Sequence, residues 1–412
     1  MKVLWLSQNL PYPPKTGVLQ RNYNLIREAS AFADVHLVAI VKRDILPTFD
    51  EHVAARELGR LCASVTTVHL PIEDSRAAFL WMVVKSLFTK TPFTANWTAS
   101  RALEEAIAGA AARGPFDMVF FDTISLAPYR RLVNESPAAL NHHNIESHLL
   151  ERRIPYETSR LRRLYFGLES RKLRHYEAAI AGDFDINLVV SRLDGQRLQA
   201  ICPAATTAVV ANGVDVEYFR RRTPLSEVER GHLIMVSGMN WFPNRDAVLL
   251  MADSVWPILA KTMPDARLTI VGASPPQPIL DLAARDPRVT VTGFVDDVRP
   301  YMEKAQVYLC PMRDGGGTRL KILDALAMGV PIVATAMALE GIDVVAERDV
   351  LIADGPEEFA NQIMRLVGDD RLCDQLRTNG RAFVEQHFAW PVIRRHMEAA
   401  FRSPRAASLH YA

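Results

Sequence analysis

Short apolar runs rich in β-branched residues recur along the chain, and the stretches between them return apolar positions at helical spacing. In the first half the runs fall at 3–7, 35–41, 65–70, 118–121 and 186–190, with a further extended run at 138–140. In the second half they fall at 233–236, 268–271, 289–291, 307–310, 332–334 and 350–352. Strands alternating with helices predict βαβ units and parallel sheets. So many strands suit two doubly wound domains better than one. The segment 204–213, after a polar helix ending near 201–203, is the expected boundary, so the first domain is set at 1–203. In open α/β sheets ligands sit beyond the carboxyl ends of the strands, so two such domains are expected to face each other across a cleft.

Composition narrows the class without naming a chemistry. The chain has 412 residues, is 49% hydrophobic and 23% charged, and carries a net charge of +1. That length also argues for two domains. The near-neutral balance offers no electrostatic case for nucleic acid as a partner. Cys62, Cys202, Cys310 and Cys373 are scattered without metal-ligand or disulfide spacing, which fits a reducing compartment. The first apolar run is too short for a signal peptide, and no run approaches the roughly 20 residues of a membrane span. The expected location is cytoplasmic.

One stretch carries most of the chemistry. "DGGGTRLKILDALAMGVPIVAT" (314–335) follows the run at 307–310 and opens with Gly315, Gly316 and Gly317. Glycine amides, a helix start and the cations Arg319 and Lys321 form a natural cradle for a pyrophosphate. The plain alternative is a flexible loop with solvated cations. The stretch matches neither GxxxxGK[ST] nor GxGxxG, which disfavours P-loop nucleotidases and dinucleotide dehydrogenases.

Together with "ALEGI" at 338–342, this stretch resembles the donor-binding segment of bacterial family 4 glycosyltransferases, which have the GT-B fold. Further similarities run in the family's order: "PYPPKTGVLQRNYNLI", "HHNIESHLLERR", "KLRHYE", "ANGVDVEYF", "SGMNWFPNRDAV", "IVGASPP" and "VTGFVDDVRPYM". The resemblance implies an enzyme that takes a sugar from a nucleotide-diphosphate sugar, with retention of configuration and without a metal or other cofactor. The acceptor would be a glycan or lipid-linked molecule, in surface polysaccharide or lipid-linked glycan synthesis. The resemblance also implies that 204–386 holds the donor, that 1–203 supplies acceptor contacts, and that 387–412 forms a final helix crossing back to the first domain.

Carried over residue by residue, the resemblance puts Gly238, Gly316, Gly317, Thr318 and Lys321 around the donor, with Gly293 and Phe294 at the base. Of the family's two glutamates eight apart, the second falls on Asp324, where a carboxylate could accept from ribose hydroxyls. The first falls on Gly316, so sugar recognition must pass through Asp314 or the backbone. Asn244 and Arg245 are candidates for the diphosphate clamp, Asn244 alternatively as a helix cap. Arg245 and Arg319 would counter charge on the departing diphosphate, and His143 would face the reacting sugar with Glu146 nearby. Gly17 is also carried over as a donor contact; it opens a helix whose Arg21 is placed with Glu146 on the acceptor side, and Val18 replaces a second glycine of the pattern.

Two features stand outside that scheme. "DFD" at 183–185 has the form of a metal motif, but its place before a strand reads as turn acids. In 76–90, Phe79, Leu80, Val83, Val84, Leu87 and Phe88 share an apolar arc expected to pack on the domain. Trp81 and Met82 are then left to a neighbouring loop or subunit, or to a membrane surface beside Lys85 and Lys90. That last option would make the protein peripheral at the inner face of the cytoplasmic membrane. Two rival functions stay open: another GT-B enzyme such as a nucleotide-sugar epimerase, and a non-catalytic nucleotide-sugar binding protein.

Overall fold

The computed structural model describes residues 1–15, 17–42, 49–70 and 76–404, and the side chains among these except those of 76–78. The chain divides into two compact units, one formed by 1–212 with 393–412 and the other by 213–392.

The first unit holds seven parallel strands: β1 (Lys2–Ser7), β2 (Asp34–Val41), β3 (Ser64–His69), β4 (Met118–Phe121), β5 (Ala138–His142), β6 (Ile186–Val189) and β7 (Thr207–Val209). Their order is β3-β2-β1-β4-β5-β6-β7. β4 is buried along its whole length and β1 over all but its first residue, as apolar strands covered on both faces should be. Trp5 on β1 stacks on Phe120 of β4 with ring centroids 3.7 Å apart, and its Nε1 donates to Asn22 Oδ1 at 2.9 Å. That bond ties the helix Gly17–Ala29 across the sheet.

The second unit holds six parallel strands: β8 (His232–Val236), β9 (Arg267–Val271), β10 (Val289–Gly293), β11 (Val307–Cys310), β12 (Ile332–Ala334) and β13 (Leu351–Ile352). Their order is β10-β9-β8-β11-β12-β13. Both units are therefore doubly wound Rossmann-like sheets, as the alternating pattern predicts.

β7 was not anticipated. The β-branched stretch 206–210 falls inside the expected boundary segment, yet Asn187, Leu188 and Val189 pair with Thr207, Ala208 and Val209. With this strand the first unit runs to Asn212, beyond the domain end set at 203 and within the boundary segment 204–213. A helix spans Trp390–Arg402, and its residues from Ile393 onward group with the first unit. Ile393, Met397, Ala400 and Phe401 are buried at helical spacing, and Phe401 meets Phe32 and Phe120 at 6.1 Å each.

The helix Arg76–Leu87 turns the opposite way from the sequence expectation. Met82 and Ser86 are buried, whereas Phe79, Leu80, Trp81, Val84, Leu87 and the following Phe88 are exposed. The helix is apolar nearly all round, so its hydrophobic pattern selects no face. Hydrogen bonds select it instead. Ser86 Oγ accepts from Asn96 Nδ2 at 3.0 Å, and the Ser86 carbonyl accepts from Lys172 Nζ at 2.5 Å.

Candidate active site: two crevices at the strand crossovers

Doubly wound sheets open a crevice where successive connections leave in opposite directions. In the second unit that point lies between β8 and β11. The loops leaving these strands hold most of the donor residues anticipated from sequence.

The two loops are bound to each other. Lys321 Nζ donates to Ser237 Oγ at 2.9 Å and to Asn244 Oδ1 at 2.6 Å, and Asn244 Nδ2 donates to the Gly238 carbonyl at 2.9 Å. Asn244 therefore bridges Lys321 and Gly238; it does not cap the helix Phe242–Leu250, whose N-cap is Trp241. Arg313 adds a bidentate pair to Asp246 at 3.0 and 2.7 Å. Burial lowers the pKa of Lys321, and the Arg319 charge adds to that effect.

Backbone conformation shapes the loop before the helix Leu320–Ala327. Gly315 has φ +133°, and a Cβ there would stand 3.3 Å from both the Arg319 guanidinium and Met312 Cε and 3.4 Å from the Trp241 ring. Only glycine combines that conformation with so close an approach. Arg319 is buried and donates to the Gly317 carbonyl, while Gly316 and Gly317 stay partly exposed with Thr318 buried behind them. Asp314 departs from its expected role as a sugar contact. It is buried, and its Oδ1 accepts from the Gly315 amide at 2.6 Å, so it braces the loop.

The neighbouring strand ends complete this edge. The Gly272 amide donates to the Gly293 carbonyl at 2.9 Å, and a Cβ on Gly272 would fall 1.8 Å from the Ser237 carbonyl oxygen. Phe294, just past β10, is 63% exposed and Arg245 is exposed on the first turn of its helix. Asp324 is partly exposed, and its side chain has no hydrogen-bond or ion-pair partner among the described residues. Burial pushes its pKa up to about 8. Its carboxyl therefore holds a proton to higher pH than an ordinary aspartate, and in the protonated form it could donate one hydrogen bond as well as accept.

In the first unit the crossover lies between β1 and β4, and Asp122 stands there, immediately after β4. Its Oδ2 accepts from the Gln8 amide at 3.3 Å, and its Oδ1 lies 2.9 Å from His143 Nε2. An ionised carboxylate only accepts, so Nε2 is the donor in this pair, and in the neutral imidazole Nδ1 is left as an acceptor. Asp122 was not singled out in the sequence. The signal was an acid directly following an apolar strand, a position at the carboxyl edge of the sheet.

His142, by contrast, is buried against Asn187 Oδ1 at 3.0 Å, and burial lowers its pKa to about 4. Glu146 heads the helix Glu146–Arg153, and burial pushes its pKa up to about 7, with the nearby Glu177 carboxylate adding to the rise. Glu177 is buried and accepts from the Ser147 amide at 3.2 Å and from the Ser147 hydroxyl, pinning that helix start. Gly17 is the exposed first residue of its helix.

Arg21, expected on the acceptor side, is engaged inside the first unit. It is buried, and its guanidinium donates to Asn212 Oδ1 at 2.9 Å, Asn141 Oδ1 at 2.9 Å and the Val210 carbonyl at 2.8 Å. Burial lowers its pKa to about 10, partly offset by Asp122. Its role is to lock the helix Gly17–Ala29 to the ends of β5 and β7. Asp185 is likewise structural: its Oδ2 accepts from the Ala138 amide at 2.8 Å, at the amino end of β5.

No curated protein matches this sequence. Among solved structures the chain is similar to sucrose-phosphate synthase from Thermosynechococcus elongatus, at TM-score 0.71 and 18% identity, covering 99% of this chain and 100% of that one. Anabaena HepE in complex with UDP is similar at TM-score 0.65 and 16% identity, covering 98% and 100%. TarM is similar at TM-score 0.69 and 11% identity, covering 98% and 99%. At these identities the likeness establishes the fold, which is GT-B. Residues 230–369 match the family described as glycosyl transferases group 1, and the second crevice lies within that matched segment.

Proposed function

We propose that this protein transfers a glycosyl group from a nucleoside diphosphate sugar to a hydroxyl of a glycan or lipid-linked acceptor, with retention and without a metal. The observation that carries this proposal is the paired loop structure of the second unit. Partly exposed glycine backbone, the helix start at Leu320 and the cations Arg319 and Lys321 converge at the β8–β11 crossover, inside the segment that matches glycosyl transferases group 1. Such an arrangement suits a diphosphate. That HepE has been solved with UDP-glucose supports the same ligand class.

In this scheme the helix start, Arg319, Lys321 and the exposed Arg245 stabilise the charge that develops on the departing diphosphate. Asp324 holds the ribose, Phe294 and the Gly293 backbone meet the base, and Thr318 supports the loop from behind. With Gly316 in place of a side chain and Asp314 turned inward, the sugar is read by loop amides and the neighbouring Trp241 ring. In the first unit Nδ1 of His143, set by Asp122, faces the reacting sugar, and Glu146 serves as a protonatable contact for the acceptor.

The test is a thermal-shift screen of nucleoside diphosphates and their sugars, followed by transfer assays with the donor found. A ligand at a hundred times its Kd should add roughly 2.7 kcal/mol of stability. Stabilisation by one donor, with sugar transfer that persists in EDTA, is the expected result. Failure of every nucleoside diphosphate to stabilise the protein would overturn the donor assignment. Donor epimerisation or hydrolysis with no acceptor added would overturn the transfer assignment.

A further inference from the structure

Ten large apolar side chains are exposed on two neighbouring segments of the first unit: Phe79, Leu80, Trp81, Val84, Leu87 and Phe88 on one, and Tyr156, Leu161, Leu164 and Leu168 on the other. Single exposed apolar residues are ordinary, whereas a contiguous group marks an interaction surface. Trp81 is 69% exposed, Phe88 86%, Leu161 81% and Leu164 74%, so these are bare side chains rather than the rim of a core. The two segments are tied together. Lys172, on the helix Arg160–Ile180, donates to the carbonyls of Ser86 and Leu87 at 2.5 and 3.4 Å. Glu169 of the same helix accepts from the Phe93 amide at 3.0 Å.

Charge identifies the occupant. Residues 79–90 contain Lys85 and Lys90 and no acid, and residues 156–168 contain Arg160, Arg162 and Arg163 against the single acid Glu157. The acid that follows, Glu169, is buried and engaged by Lys172. Exposed aromatic and leucine side chains among an excess of cations match an interface that is apolar inside and anionic at its surface. A second copy of the chain is a poorer match, since a two-fold contact would set these cations against their own equivalents. Among the described residues no helix is long and apolar enough to cross a membrane.

We infer that the exposed faces of Arg76–Leu87 and the first half of Arg160–Ile180 form one surface that docks on an anionic lipid bilayer. Aromatic and leucine side chains enter the headgroup region, and the flanking arginines and lysines meet the phosphates. The surface is independent of the donor crevice, which lies in the other unit.

Sedimentation of the full chain with vesicles tests this. The protein should sediment with mixed phosphatidylglycerol and phosphatidylcholine vesicles and remain in solution with phosphatidylcholine alone. Leu80→Ser/Trp81→Ser/Phe88→Ser should cut binding about tenfold or more, and Arg160→Gln/Arg162→Gln should do so in a salt-sensitive way. Both variants should melt as the wild type does, because the altered side chains are exposed. The inference is overturned if the wild type fails to sediment with the anionic vesicles, or if neither variant weakens binding. It is also overturned if sedimentation velocity finds a dimer that the triple variant dissolves, which would make a second copy the occupant. The assay uses neither donor nor acceptor, so its outcome leaves the transfer proposal untouched.

Discussion

The two units share a strand order and differ in what they put at the crossover. Counted from its own first strand, each sheet runs third, second, first, fourth, fifth, sixth, with β7 added to the first unit. At the crossover the first unit places side-chain acid–base groups: Asp122, His143 and, nearby, Glu146. At the same topological point the second unit places glycine backbone and cations, with Lys321 bolting one loop to the other. The scaffold thus fixes where chemistry can occur, and the few residues after each strand decide which kind. Both crevices also hold a carboxyl with a raised pKa, Glu146 at about 7 and Asp324 at about 8. Burial is the leading cause in each.

If the division of labour is real, damage to one crevice should leave the other's property intact. The largest effect is expected from His143→Ala, which should lower kcat roughly 10²- to 10⁴-fold while donor affinity stays unchanged by calorimetry. Asp122→Asn should lower kcat by a smaller factor, since the amide oxygen can still accept from Nε2 but carries no charge. Loss of donor affinity in His143→Ala would break the comparison.

Next is Gly272→Ala in the second unit. Its Cβ would fall 1.8 Å from the Ser237 carbonyl in a backbone conformation, φ +151°, that side chains disfavour. A stability loss of about 2–4 kcal/mol is expected, with weaker donor binding because Ser237 holds Lys321. An unchanged melting profile would show that this contact does not constrain the loop.

Arg319→Ala should weaken nucleoside diphosphate binding by about 1.5–3 kcal/mol, roughly 10- to 150-fold in Kd. Part of that loss would come from the loop, since Arg319 also holds the Gly317 carbonyl. Unaltered affinity would remove Arg319 from the cradle.

The smallest effect concerns pH. Glu146 binds its proton more tightly in the folded state, with its pKa moved from 4.5 to about 7. Its contribution to stability is therefore complete below pH 4.5 and is lost as the pH rises towards 7. Glu146→Gln should consequently gain stability relative to wild type on going from pH 5 to pH 8, read as a growing difference in melting temperature. A constant difference would mean that Glu146 is already ionised at pH 5.

Much of this protein is decided by local sequence. Among the described residues, twelve of the thirteen strands have an apolar run long enough to be seen, and the Gly315–Gly316–Gly317 loop is marked by three glycines in a row ahead of a helix. These features are legible because the physics behind them acts over a few residues. Four others needed the tertiary structure. β7 joins the first sheet because β6 offers it partners, which its β-branched stretch alone does not state. Arg21 is a structural bolt because Asn141, Asn212 and Val210 converge on it from positions more than a hundred residues away. Asp122 becomes the partner of His143 only when β4 and β5 lie side by side. The helix Arg76–Leu87 turns its larger apolar arc outward because Asn96 and Lys172 hold Ser86 inward. A hydrophobic pattern states how much apolar surface a helix has; which side is buried depends on the polar partners that distant parts of the chain bring to it.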